Sequence, residues 1–306
     1  VIRLIVTWAF QGVLPSNVII CSLPLFFEVI YMLFSLQLIA LLTRLLNVRQ
    51  TKRLSGITRS GEFLAEMVVG LSIVLLLNFI IVKDLLLVAS VAVVGVFLVV
   101  RRTVKSFNRH LTTVDVNSES EDQGRMLSML SMRYVRLIGL CYGAFIFAYF
   151  FLDVAFYKYA VEVYPNEVDL ASFIGQFFAI SGFLTLLTMV FIFAPFLRSF
   201  GVLAGVVAFP LLVGLGSAAV SVLEFSGFGI GVIFIVMVAT NALRVILQSA
   251  IWRPTVGILF QVLPDRQRSL GTSLIEGIID PLASGLAGIG LYNISEYFHW
   301  PPEGFL

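Results

Sequence analysis

The sequence predicts an all-α polytopic membrane protein, and three observations carry that prediction. Of its 306 residues, 59% are hydrophobic and only 12% are charged, with a mean hydropathy of +1.01, where a soluble domain carries roughly 25% charge. The apolar runs recur on a scale of about 20 residues, the length of helix that crosses a hydrocarbon core of roughly 30 Å. Basic and acidic loops alternate between those runs without exception.

The elements follow in order. Val1 to about Leu14 reads as the end of a helix, and the absence of a leader before this apolar run makes the start look truncated. The next run begins between Ser16 and Pro24 and descends to Asn47. Further spans are expected over 56–80, 84–100, 133–157, 168–196, 200–223, 229–263 with an interruption at Pro254, and 270–292. One set of loops holds Arg44, Arg49, Lys52, Arg53 and Arg59, then Arg101, Arg102, Lys105, Arg109, Arg125, Arg133 and Arg136, then Arg198, then Arg253, Arg266 and Arg268. The opposite loops hold little basic charge beyond Lys83 and Lys158, so the positive-inside rule assigns the basic set to the cytoplasm. The polar stretch 112–125 reads as a flexible cytoplasmic linker. It divides the chain into an N-terminal half, 1–101, a linker, 102–127, and a C-terminal half, 128–306.

An internal repeat ties the halves together. RLSGITRSGEFLAEMVVGL at 53–71 and RSLGTSLIEGIIDPLASGL at 268–286 superpose with a shift of 215 positions, aligning Arg53 with Arg268, Gly56 with Gly271, Gly70 with Gly285 and Leu71 with Leu286. Each copy starts at a basic loop and carries a carboxylate pair at i and i+4, Glu62 with Glu66 and Glu276 with Asp280, one residue out of register. Repeats that both follow a descending helix imply two pseudo-symmetric halves in parallel orientation, related by an axis along the membrane normal.

That arrangement resembles the major facilitator superfamily. RLSGITRSGEFLAEMVVG, LDVAFYKYA at 152–160, FLTLLTMVFIFAPFLRSFGV at 183–202 and ALRVILQSAIWRPTVGILFQVLPDRQRSLGTSLIEG at 242–277 are similar to its branch of bacterial relatives of the ATP/ADP translocase (nucleotide transporter) family. The resemblance implies a major-facilitator-like helical bundle, a nucleotide or other anionic metabolite moved by exchange or proton coupling, and a bacterial inner membrane location. Counted on that scheme the chain holds the end of helix 3 and helices 4 to 11 but lacks helices 1, 2 and 12, for which a partial sequence and a shortened protein are alternative accounts.

Charge placement supplies the candidate site. A charge at a helix centre costs at least about 2.5 kcal/mol in a bilayer, so it marks an interior cavity or a functional group. Spans 84–100 and 200–223 carry none inside, and the resemblance puts both on the lipid-facing side. Charge falls instead at Glu28 and Arg44, Glu62 and Glu66, Arg136 and Asp153, Arg244 and Arg253, and Glu276 and Asp280. Glu28, Glu66, Arg244 and Asp280 are the candidates for substrate or coupling contact, with Glu66 and Asp280 expected to face a wet central cavity where they bind a proton or hold a cation such as Arg244. Arg59, Glu62, Arg253 and Glu276, nearer the cytoplasmic ends, are inner-gate candidates, and Arg59 with Glu62 has the spacing of an intrahelical pair. Gly56, Gly70, Gly271, Gly285 and Gly288, and Gly201 with Gly205, are read as close-packing positions. Cys21 and Cys141 are read as small buried hydrophobes, and His110 and His299 as loop residues, with no metal pattern.

A secondary transporter is the leading reading. A non-transporting membrane scaffold or complex subunit descended from one is the alternative, with partner membrane subunits. A membrane enzyme lacks a nucleophile, metal cluster or phosphate loop at useful spacing, and a channel lacks a pore-lining ring pattern. No cofactor is expected, and a net charge of +2 gives no reason to expect nucleic acid as a partner; the lipid bilayer is the solvent.

Overall fold

The computed structural model describes residues 34, 48–111, 132–264, 267, 270–271 and 274–297. They are helical throughout apart from the connecting turns, with no strand among the described residues. In chain order the helices are α1 (Val48–Leu76), α2 (Leu85–Leu111), α3 (Arg133–Val163), α4 (Glu167–Leu187), α5 (Phe193–Phe225), α6 (Ile230–Leu247), α7 (Arg253–Leu259) and α8 (Asp280–Tyr297). Among the described residues four stretches, Val82–Thr103, Arg133–Val163, Glu167–Phe225 and Ile230–Val262, are long and apolar enough to cross a membrane. This is an all-α polytopic membrane protein. The helix predicted over 84–100 continues to Leu111, so His110 is helical rather than in a loop. The run predicted between Ser16 and Asn47, with Glu28 and Cys21, the linker 112–125 and His299 all lie outside the described residues, apart from Phe34.

The chain forms two compact units, Val1–Gly61 with Ser72–Asn117, and Glu62–Leu71 with Ser118–Leu306. In the first, α2 presents Val91, Phe97, Leu98 and Val99 outward, the apolar surface that a span turns to lipid. The second contains the core, and its side-chain packing fixes how its helices run. Tyr164 packs on Phe234, Tyr142 stacks on Trp252, and the Tyr134 hydroxyl donates to the Leu259 carbonyl, so α3 and the α6–α7 segment are antiparallel. Gly139 faces Ile279 and Gly290 faces Phe147 and Phe151, which makes α3 and α8 parallel.

Glycine sets the closest approaches. A Cβ at Gly216 would stand 2.5 Å from Thr240 Cγ2, and one at Gly205 would stand 2.7 Å from Thr255 Oγ1. Two Gly–Thr contacts therefore hold α5 antiparallel against α6 and α7. Gly70 lies against the backbone of Gly175 and Ala179, and Gly182 against Phe63, Glu66 and Met67, so residues 62–71 and α4 pack as an antiparallel pair over two turns. Between apolar helices in lipid such seams are held by dispersion, which falls off steeply with distance. Gly201 has φ 78 and an open surrounding. It is a chain break, not the packing position the sequence suggested: it splits the 59-residue stretch Glu167–Phe225 into two passes. Gly285 and Gly288 likewise meet nothing within 4 Å, and Cys141 is exposed rather than buried.

Three helices widen to π geometry, at Thr188–Ile192, Gln248–Trp252 and Ile275–Ile279. Each lies just before a proline: Pro195, Pro254 and Pro281. A proline ring clashes with the carbonyl four residues back and cannot donate to it. Those carbonyls belong to Phe191, Ala250 and Gly277, each inside the widened turn, which is how the helix passes the proline without breaking.

The core around the second widened turn is aromatic. Phe156, Phe209 and Phe260 are fully buried, and Trp252 is flanked by Tyr142 at 4.7 Å, Phe145 at 5.2 Å and Phe209 at 5.4 Å between ring centroids. Such pairs contribute about 0.5–1.5 kcal/mol each beyond area burial.

The Gly216–Thr240 contact gives a direct test of the α5–α6 seam. Gly216→Ala is expected to destabilise the detergent-solubilised protein by about 1–3 kcal/mol through overpacking. Adding Thr240→Ala, which removes the two clashing atoms, restores most of the loss in thermal unfolding; no rescue means the seam is not set by that contact.

Candidate functional site

Arg244 is the charged centre of the second unit. It projects from α6 with its side chain 11% exposed, and its Nη2 donates to Asp153 Oδ1 of α3 at 2.5 Å. Its own helix holds the rest of the guanidinium. Nε donates to Asn241 Oδ1 at 2.7 Å and Nη1 to Gln248 Oε1 at 3.1 Å. Asn241 and Gln248 are buried amides one turn to either side of Arg244, the second of them opening the π turn. Each amide also reaches α3, Asn241 by a hydrogen bond to Asp153 and Gln248 by one to Tyr149. The Tyr149 ring lies under the guanidinium, 5.0 Å from Cζ to centroid, in cation–π contact.

The local reason is spacing. Tyr149, Asp153 and Tyr157 recur at i, i+4 and i+8, which places them on one face of α3. Asn241, Arg244 and Gln248 recur at i, i+3 and i+7 and do the same on α6. The two polar stripes meet because the helices are antiparallel and the Trp252 aromatic cluster fixes their spacing.

A second charged group lies toward Arg253, where the π turn ends. The Tyr142 hydroxyl donates to Asp280 Oδ2 at 3.3 Å, and Ser284 also hydrogen-bonds Asp280. The Arg253 guanidinium lies where its charge acts on Asp280, on Glu66 and on Tyr149. Along α3 the step from Tyr142 to Asp153 is about 16 Å at 1.5 Å per residue.

Of the residues singled out in the sequence, the structure thus places Arg253 within electrostatic reach of Glu66 and of Asp280, and gives Arg244 separate partners. The partner of Arg244 is Asp153, not Glu66 or Asp280. The reason is helix identity: Asp153 stands opposite Arg244 on α3, while Asp280 stands opposite Tyr142. Glu62 is exposed, one turn from Glu66. Arg59 and Glu276 are described in their backbone alone, on α1 and in the third π turn, and Glu28 lies outside the described residues. Asp153, Asn241, Gln248 and Tyr149 were not read as site residues. The signal was present in the Asn241–Arg244–Gln248 spacing, a polar i, i+3, i+7 stripe that runs from the mostly apolar α6 into the π turn.

The arrangement offers a positive group in an apolar surrounding with donors to spare. A guanidinium has five N–H donors, and three are taken by Asn241, Gln248 and Asp153. No group of three or more His, Cys, Asp or Glu that would hold a metal occurs among the described residues.

Comparison with known proteins adds the family. A family model described as TLC ATP/ADP transporter matches residues 26–253, more than half of the chain. The match includes Glu28, Glu66, Asp153, Arg244 and Arg253 and stops before Glu276 and Asp280. Neither the curated proteins nor the solved structures give a match.

The ion pair makes a definite prediction. Removing one partner of a buried pair costs about 3–5 kcal/mol because the other charge is left uncompensated. Asp153→Asn and Arg244→Gln are each expected to lower stability, and the double variant to lose at least about 1 kcal/mol less than the sum of the singles. Strict additivity in detergent unfolding would show that the two side chains do not act as a pair.

Proposed function

The chain belongs to the TLC ATP/ADP transporter family, and on that premise we propose that it is a secondary transporter of major-facilitator type that exchanges nucleotides, with Arg244 as the contact for the substrate's phosphate. The observation that carries this reading is the buried Arg244 itself. A guanidinium in an apolar bundle is costly, and it is held here by two neutral amides and one carboxylate with donors left over. Its planar fork suits the oxygens of a phosphate, which it binds through two parallel charge-assisted hydrogen bonds. Tyr149 and Tyr157 on the same face offer rings beside that charge.

Glu66, Asp280 and Arg253 form a second group in this reading, with Glu66 and Asp280 in coupling roles and Arg253, Glu62, Arg59 and Glu276 at the inner gate. Two halves joined through the polar stretch after Leu111, with the basic loops in the cytoplasm, complete the proposal. A bacterial inner membrane is the location it implies.

Two experiments test it. In proteoliposomes loaded with ADP, the full chain is expected to take up labelled ATP saturably and faster than unloaded vesicles do, and Arg244→Gln to reduce that uptake about 10- to 100-fold, the loss of a charge-assisted contact of roughly 1.5–3 kcal/mol. Undiminished uptake by Arg244→Gln at equal protein removes Arg244 from the site. A cysteine at Ser118 is expected to react with an impermeant maleimide from the cytoplasmic side only; labelling from outside intact cells reverses the orientation.

A further inference from the structure

The donors and acceptors around Arg244 are not equivalent. Asn241 and Gln248 sit on the same helix as Arg244, are 2% and 5% exposed, and carry no charge. They hold the guanidinium from its own helix. Asp153 is on the other helix, carries the only formal negative charge hydrogen-bonded to Arg244 among the described residues, and at 24% is the more exposed member of the ion pair. Tyr157 beside it is also exposed, at 43%. The carboxylate therefore stands on the accessible side of Arg244, while the amides stand on the closed side.

A carboxylate and a phosphate ask for the same thing from a guanidinium, a pair of N–H donors and the positive charge. Resting on the reading of Arg244 as the phosphate contact, we infer that Asp153 is a displaceable counter-ion: it takes the edge of Arg244 that a substrate phosphate takes, and so sets how tightly the site holds its anion. Asp153 is a positioning residue and need not touch the substrate.

The consequence is a trade between affinity and turnover. An internal competitor lowers apparent affinity by the fraction of time it holds the guanidinium. The same competition helps the anion leave, because the carboxylate re-compensates Arg244 as the phosphate departs. Tight binding without it is slow release.

The test is the KM and Vmax of ATP uptake by the full chain in ADP-loaded proteoliposomes. Asp153→Asn keeps the shape and the hydrogen bond to Asn241 but removes the charge. It is expected to lower the KM for ATP about ten-fold and to lower Vmax with it. A purely structural Asp153 gives the opposite split, a KM unchanged or raised with Vmax lowered, and that result overturns the inference. For a variant inserted too poorly to assay, protection against thermal unfolding in detergent reads the same quantity. Saturating ATP is expected to raise the midpoint of Asp153→Asn more than that of the wild type, and an equal or smaller shift overturns the inference. Wild-type vesicles that carry ATP beside an Asp153→Asn variant of unchanged KM sink the counter-ion alone; wild-type vesicles that carry no nucleotide sink the substrate reading and the inference together.

Discussion

Compensation of one arginine inside an apolar bundle organises the second compact unit of this molecule. Water is not there to solvate the Arg244 guanidinium, so the protein must supply both charge and acceptors. α6 gives two amides a turn away on either side, α3 gives the carboxylate and a ring, and these demands fix which faces of the two helices meet. Once Asp153 opposes Arg244, the antiparallel register carries Tyr142 to Trp252 and Tyr134 to the Leu259 carbonyl. The aromatic cluster and the charged pair are consequences of one register.

The widened turns extend that logic along the chain. Each of the prolines at 195, 254 and 281 is preceded by a π segment that moves the clashing carbonyl aside. The added residue shifts the faces that follow. Gln248 opens the second such turn, Arg253 follows it directly, and Asp280 follows the third. Charged side chains therefore sit where the helix changes phase, which lets Arg244 and Arg253 address different neighbours, Asp153 on one side and Asp280 with Glu66 on the other.

Much of the helix layout was legible in the sequence because hydrophobic length is a one-dimensional property. A run of apolar residues long enough to span a bilayer has few alternatives to a helix, since any other backbone leaves polar groups unpaired in hydrocarbon. The spans after residue 132 were placed to within about six residues, but the interruption expected at Pro254 is instead the widened turn Gln248–Trp252, which carries the helix past the proline unbroken. Gly201 was harder: the expected gap between two spans is a single left-handed residue inside one nearly continuous helix, a matter of backbone angle that composition does not report. The glycines divide in the same way, with Gly70 and Gly205 in tight seams and Gly285 and Gly288 facing open space.

By itself the sequence determined that this is an all-α membrane protein, where the four long apolar stretches among the described residues fall, and that Glu66, Arg244, Arg253 and Asp280 are charges an apolar helix keeps at a cost. Residue type, run length and the penalty for charge in hydrocarbon are local quantities, so one chain suffices to read them. Tertiary structure alone decided which charges meet. Asp153 lies 91 positions from Arg244, and pairing at that distance depends on helix direction, on the phase shift at each π turn and on glycine seams that set how closely the helices approach. None of these is a property of either segment alone, and a change of a few ångströms in helix register would give Arg244 a different partner.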